Sequence, residues 1–464
     1  MPPLSPLSPS SQARREEKLK AKHANTVYLL TMNKQLTKKE IGDMKARKMT
    51  LTDLPVDLLE VIFKEEFKKL LKVSLRKWIY EQADRIDMKW LCANTSMHAI
   101  EILKAKSRKN PDELDWKRLS ANPSAIDILS ENEDRINWDE FSSNTSPDTI
   151  TLFKRNMKKL NFAKLSGNPS AIYVLARNTY HVVESYTGVK AAPIGITKNK
   201  DIDWMKVAKN PNGVELILTN KDDIEWDYWE FLCANPSSKA IKLIEKEYEK
   251  NPDNINFSSL SSNPNAIKLL KKQVEIENKM SIDELEDFDK QKLSWKNLSG
   301  NIGAIKILDE RWRYEKSLKK ADYDTFRDWG LIVDWGILSG NIKAKKLLKA
   351  KYEEEKELSK GELSRLGNNE KLDWRALSGN PCAVDIIEEE LKRAPNNPDI
   401  DWVALSANPK AIHILNKYQD NIVWEYLSTN PSIFGIRGND KAATTHSSKS
   451  SSSSYKYVSP RFYL

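Results

Sequence analysis

The chain of 464 residues is 39% hydrophobic and 30% charged, with 14 tryptophans and 3 cysteines. It is too long for one small domain, and no run approaches the roughly 18 apolar residues that a membrane span needs. Residues 1–50 hold 11 Lys and Arg against 4 Asp and Glu, residues 435–464 hold 5 against 1, and residues 51–434 hold 59 against 61. The net charge of +9 therefore belongs to the two ends, and a near-neutral middle argues against a groove that neutralises a row of phosphates.

In chain order, the first segment is MPPLSPLSPSSQARREEK. It lacks the apolar stretch of a secretory signal, and Cys92, Cys233 and Cys382 are too few for a disulfide framework. A reducing compartment is expected, and no secretion. Residues 1–25 are Pro/Ser-rich and then charged, which predicts disorder, and 26–48 can form a basic amphipathic helix. Residues 1–50 as a whole read as a basic tail able to contact a polyanion.

Residues 51–85 read as a helical cap. Thr52 or Asp53 serves as the N-cap, Pro55 stands at the helix start, and an apolar stripe follows. Leu54, Pro55, Leu58 and Leu59, followed by Ile62 and Phe63, resemble the opening of an F-box, the helical module that docks on the Skp1 subunit of ubiquitin ligases. That resemblance implies that these six side chains form a Skp1-docking face. The segment between them and KVSLRKW, which ends at Trp78, is several residues shorter than in that family, leaving its third helix without a clear counterpart.

From residue 86 to 434 the chain repeats. The phrase LSANPSAIDIL at Leu119 recurs as LSGNPSAIYVL, LSSNPNAIKLL, LSGNIGAIKIL, LSGNPCAVDII and LSANPKAIHIL. The full pattern is [IL]-[DN]-W-x-x-L-S-[AGS]-N-P-x-A-I-x-[IL]-L, with twelve copies centred on Asn94, Asn122, Asn144, Asn168, Asn210, Asn235, Asn263, Asn301, Asn341, Asn380, Asn408 and Asn430. Six residues before each asparagine stands an anchor. It is Trp at Trp116, Trp138, Trp204, Trp229, Trp295, Trp335, Trp374, Trp402 and Trp424, Phe at Phe162 and Phe257, and Met88 in the first copy.

The pattern predicts two helices joined by a tight corner. Asp or Asn caps a short helix A that begins at the Trp, whose i+3 partner Leu shares its face. The asparagine caps helix B, whose Ala, Ile and Leu three, four and seven residues on make one stripe. One such unit cannot bury its stripe alone, so the copies must stack as an all-α solenoid with one continuous core. Spacings between asparagines run from 22 to 42 residues. The extra residues fall after helix B, at 176–201, 271–292, 309–332 and 349–371, which places lengthened or added helices along one edge. Residues 435–464 close the chain as a Ser-rich flexible tail with an aromatic, basic tip.

The repeat is similar to W-x-x-L-S-x-N-P-x-A-I arrays of uncharacterised proteins from large DNA viruses of algae and amoebae. The similarity spans 86–434 and implies a viral origin and an interaction or virion role, without any chemistry. The residues point the same way. There is no phosphate-binding loop, no H-E-x-x-H and no nucleophile elbow. Cys92 and Cys233 occupy the small-residue position that is usually Ser. The asparagines read as caps and the tryptophans as core anchors; a peptide-binding ladder and a base-stacking platform are the functional alternatives. The expectation is a non-enzymatic protein-interaction scaffold without cofactor, in the host cytoplasm or the virion. A minor capsid component and an F-box-type substrate adaptor are the alternatives.

Overall fold

The computed structural model describes residues 73–177, 201–224, 227–281, 284–285, 288 and 291–436. The F-box-like residues Leu54, Pro55, Leu58, Leu59, Ile62 and Phe63 and both basic tails lie outside them. The chain divides into two units, Met1–Ser74 with Ile436–Asn439 and Leu75–Gly435 with Asp440–Leu464. All twelve copies lie in the second, and among the described residues they form an all-α solenoid. Two three-residue strands, Val73–Leu75 and Phe434–Ile436, make a small two-stranded sheet.

Helix A is one turn or little more, as in Trp116–Ala121, Trp335–Leu338 and Trp402–Ala407. The residue before the anchor caps it. Asp115 accepts from the Arg118 N–H (3.0 Å), Asn137 from Glu140 (3.0 Å) and Asp373 from Ala376 (3.0 Å), each quenching a donor with no partner inside the helix. The i+3 residue carries the core. Leu119, Phe141, Leu165, Leu298, Leu377 and Leu405 are fully buried, whereas among the Trp anchors only Trp295, Trp335 and Trp424 are buried and the other six are half-buried. The tryptophans thus stand at the edge of the core. Their outer faces are roofed by cations or rings: Arg135 lies 5.7 Å from the Trp116 centroid, Lys159 5.0 Å from Trp138, and Tyr352 packs edge-on to Trp374.

The asparagine caps a turn rather than helix B itself. Its Oδ1 accepts the N–H two residues on, as Asn122 does from Ser124 (3.0 Å) and Asn380 from Cys382 (3.0 Å). Its carbonyl accepts from the alanine three residues on, as in Ala125 N to Asn122 O (3.1 Å). Helix B starts one residue later, at Ile126, Ile267, Ile305 or Ile412. Where two extra residues intervene after Asn94 and Asn235, Ser96 and Ser237 take over as the helix N-caps. Proline after the asparagine suits this single turn, since it fixes φ and its missing N–H is not needed.

The amide's other end joins neighbouring copies. Asn122 Nδ2 donates to the carbonyls of Cys92 (2.9 Å) and Asn94 (2.9 Å), and Asn144 to those of Ser120 (2.9 Å) and Asn122 (3.1 Å). The same pair of acceptors recurs for Asn168, Asn210, Asn235, Asn263, Asn301, Asn341, Asn380 and Asn430, and Asn408 reaches the Ser378 carbonyl. All twelve side chains are at most 3% exposed. A buried amide with three protein partners leaves nothing for a peptide to bind.

The serine two residues earlier works in the opposite direction. Ser299 Oγ donates to Trp295 O (2.8 Å) and accepts the Asp334 N–H of the following copy (2.9 Å); Ser378 does the same with Trp374 and Asp401 (2.7 and 3.1 Å). Cys92 and Cys233 sit in this place, and burial pushes their thiols up to about 11 and about 12, so they remain protonated and inert.

Candidate interaction surface and the closing repeat

The two ends of the array meet. Asn94 of the first copy donates to Ser428 O (2.9 Å) and Asn430 O (3.0 Å) of the twelfth, and the Asp87 N–H donates to Ser428 Oγ (2.9 Å). The asparagine-to-carbonyl bonds are those that join the internal copies, so the twelve links form a closed circuit within Leu75–Gly435. Trp90 packs on Tyr426 with centroids 4.7 Å apart. Trp90 of the first copy is therefore in ring contact with the last.

The closing repeat is composite. After Asn430 the chain makes only the turn Pro431–Ile433 and then a strand; no helix B follows among the described residues. Its place is taken by Lys77–Tyr80 from the other end of the chain. Aligning LRKWIYEQADRIDM, from Leu75, with AIDILSENEDRINW, from Ala125, shows the equivalence. Ile79 corresponds to Leu129, and both are fully buried. The turn Ala83–Arg85 corresponds to Glu133–Arg135. Arg85 lies over Trp424 (4.5 Å) as Arg135 lies over Trp116 (5.7 Å). Arg76 fastens the joint, its N–H to Ile433 O (3.0 Å) and its Nε to Ser432 O (2.8 Å), while Gln82 Nε2 donates to Gln419 (2.9 Å). The boundary expected at 85 thus falls inside a repeat, and residues 75–85 are its second half. The D-R-I-[DN] string shared by 84–87 and 134–137 was the signal.

Two surfaces remain for partners. The first is the outer face of the A helices, where the residue after the anchor changes from copy to copy. Lys117, Asp139, Met205, Glu230, Arg375 and Val403 are all exposed there. Exposed apolar side chains on these helices include Met205 at 48%, Ile337 at 41% and Val403 at 38%.

The second is the edge of lengthened B helices, Ile267–Glu277, Ile305–Ser317 and Lys345–Glu355. Each carries in its last turn a buried glutamate fourteen residues past its asparagine. Glu277 accepts the Leu293 N–H (2.6 Å), Glu315 that of Val333 (2.8 Å) and Glu355 that of Leu372 (2.9 Å). Burial pushes Glu277 and Glu315 up to about 7 and raises Glu355, against the pull of these N–H groups and of Arg311 or Lys351. Arg311 is itself buried, 3.6 Å from Glu315, with its guanidinium over Trp295 (4.4 Å). These carboxylates are internal ties. The 14-residue spacing from the asparagine could have revealed them.

A cleft of about 520 Å³ opens between the B helices of the Asn263 and Asn301 copies, lined by Lys271, Val274, Trp295, Ile307 and Tyr314 among others. No group of three or more His, Cys, Asp or Glu placed to hold a metal occurs among the described residues, and no described helix is long and apolar enough to cross a membrane. No family model matches the chain, and no curated protein or solved structure is significantly similar to it.

Proposed function

We propose that this chain is a non-enzymatic protein-interaction scaffold of viral origin, working in the host cytoplasm or in the virion and binding host or viral proteins through the surface of its repeats. One observation carries the reading. Positions that build the circuit recur in every copy, while exposed helix-A positions run through Lys117, Asp139, Met205, Glu230, Arg375 and Val403. A frame whose buried bonds are repeated and whose exposed row is varied presents different chemistry at fixed places, which is how repeat proteins achieve selective binding. Viral origin rests on the resemblance of the repeat.

The test is affinity purification of the full chain from infected cells, and from particles, followed by mass spectrometry. The expected result is a stoichiometric protein partner that is lost with Ile337→Asp and Val403→Asp while the melting temperature holds. Fixed copy number in particles assigns the virion role, and recovery of Skp1 dependent on Leu54 and Pro55 assigns the ligase adaptor. Recovery of no stoichiometric partner from either source sinks the scaffold reading.

A further inference from the structure

We propose that the composite repeat is a joint that two copies of this chain can share, the C-terminal half of one copy (Trp424–Ile433) seating on the N-terminal half of another (Leu75–Leu91). The interface is head-to-tail: the carbonyls of Ser428 and Asn430 face the amide of Asn94. Every internal link presents the same pair of faces, as Asn263 does to Cys233 and Asn235. Nothing in the chemistry of the joint distinguishes its own chain end from that of a neighbour. A heterologous interface of this kind closes a ring when the ends come from one chain and builds larger assemblies when they come from two.

The joint is also where the circuit is least well made. Helix Trp424–Thr429 is preceded by Val423, which offers no side-chain cap, where most other copies have Asp, Asn or Ser. Trp424 Nε1 is buried without a hydrogen-bond partner, which costs free energy that an internal copy avoids, as Trp116 Nε1 does by donating to Pro111 O (2.9 Å). The supplied helix, Lys77–Tyr80, is four residues long against thirteen in its neighbour Met97–Lys109. In consequence Ile102 is 39% exposed, although its equivalents Ile128, Leu216, Ile307 and Ile386 are all buried, and Tyr80 is 67% exposed. Opening therefore begins at this joint, and an opened chain exposes two complementary faces.

Mass action decides which pairing forms. Ends tethered in one chain meet at an effective concentration of about millimolar order, so closure wins in dilute solution and sharing competes only when chains fold at high concentration. Once formed, both states keep the same bonds and exchange only through opening.

The experiment uses the full chain with Gln82→Cys and Gln419→Cys, whose native side chains are 2.9 Å apart across the joint. Cys382→Ser removes the half-buried thiol, while Cys92 and Cys233 are fully buried. The protein is unfolded, refolded at roughly 1 µM or roughly 200 µM, below and nearer the effective concentration, and treated with a short bis-maleimide. The expected result is a cross-linked monomer from dilute refolding. Concentrated refolding should yield cross-linked dimers of doubled mass by light scattering, with an unchanged helical spectrum and slow return to monomer on dilution. Cross-linked monomer alone at both concentrations overturns the proposal. So do dimers that also form when either cysteine is present singly, because these join the chains elsewhere.

Discussion

Each asparagine of the repeat does two jobs with one amide. Oδ1 holds the turn that follows, and Nδ2 holds two carbonyls of the preceding copy, or one in the case of Asn408. Loss of a cap alone costs about 0.5–2 kcal/mol. Asn263→Ala also strands the carbonyls of Cys233 and Asn235 at about 1–3 kcal/mol for each buried group left unpaired. Together these give an expected loss of about 2.5–8 kcal/mol, read by denaturant titration, and a loss under about 1 kcal/mol would show that water replaces the amide.

The glutamates give a pH dependence of fixed sign. Glu277 and Glu315 titrate near 7 in the fold against an ordinary 4.5, so the fold favours their protonated forms. The stability this confers is complete below about 4.5 and is lost as pH rises through about 7. Glu277→Gln with Glu315→Gln keeps an acceptor for Leu293 and Val333 and removes the titration. Melting temperatures between pH 5 and 8 should fall less in this double variant than in the parent. Parallel curves would mean that Arg311 neutralises both carboxylates.

At the scale of the helix, anchor and core separate. The spacing of Trp and Leu at i and i+3 placed both on one face, and the structure agrees. It assigns full burial to the Leu and leaves six of nine tryptophans half-covered. Leu405→Ala should cost about 2–5 kcal/mol. Trp402→Ala should fall below the roughly 3–5 kcal/mol of a fully enclosed Trp, because the ring of Trp402 is covered on one side by Tyr418 at 5.8 Å and is partly open on the other. Chemical denaturation of the two variants checks the order, and a Trp402→Ala variant less stable than Leu405→Ala reverses it. The phrase around each asparagine, the helix pair and the lengthened B helices were legible because they depend on neighbours within about twenty residues. The Nδ2 bonds were not, since they reach 22–44 residues back. The closing bonds, 334 and 336 residues apart, were further still from any local pattern.

For the molecule as a whole, closure changes what the ends do. An open solenoid needs terminal copies with a polar outer face. The structure instead gives the first and last copies to each other and builds the twelfth from both chain ends, so no copy of the circuit is terminal. Leu75 and Gly435 then lie side by side, with the Arg76 N–H 3.0 Å from Ile433 O and the Arg76 side chain against Gly435. This adjacency allows a strong test. A permuted chain joins Gly435 to Leu75 through a short glycine linker and carries its new ends between Arg177 and Asp201, within the longest spacing between copies. Such a chain makes the twelfth repeat covalently continuous without stretching any link. It is expected to keep the helical spectrum and to melt within a few degrees of residues 75–435 in natural order, in one cooperative transition. In an open array Gly435 and Leu75 would stand at opposite ends, and a short linker would have to tear the stack. Failure of the permuted chain to fold, alongside a well-folded chain of natural order, would show that the circuit does not close in solution.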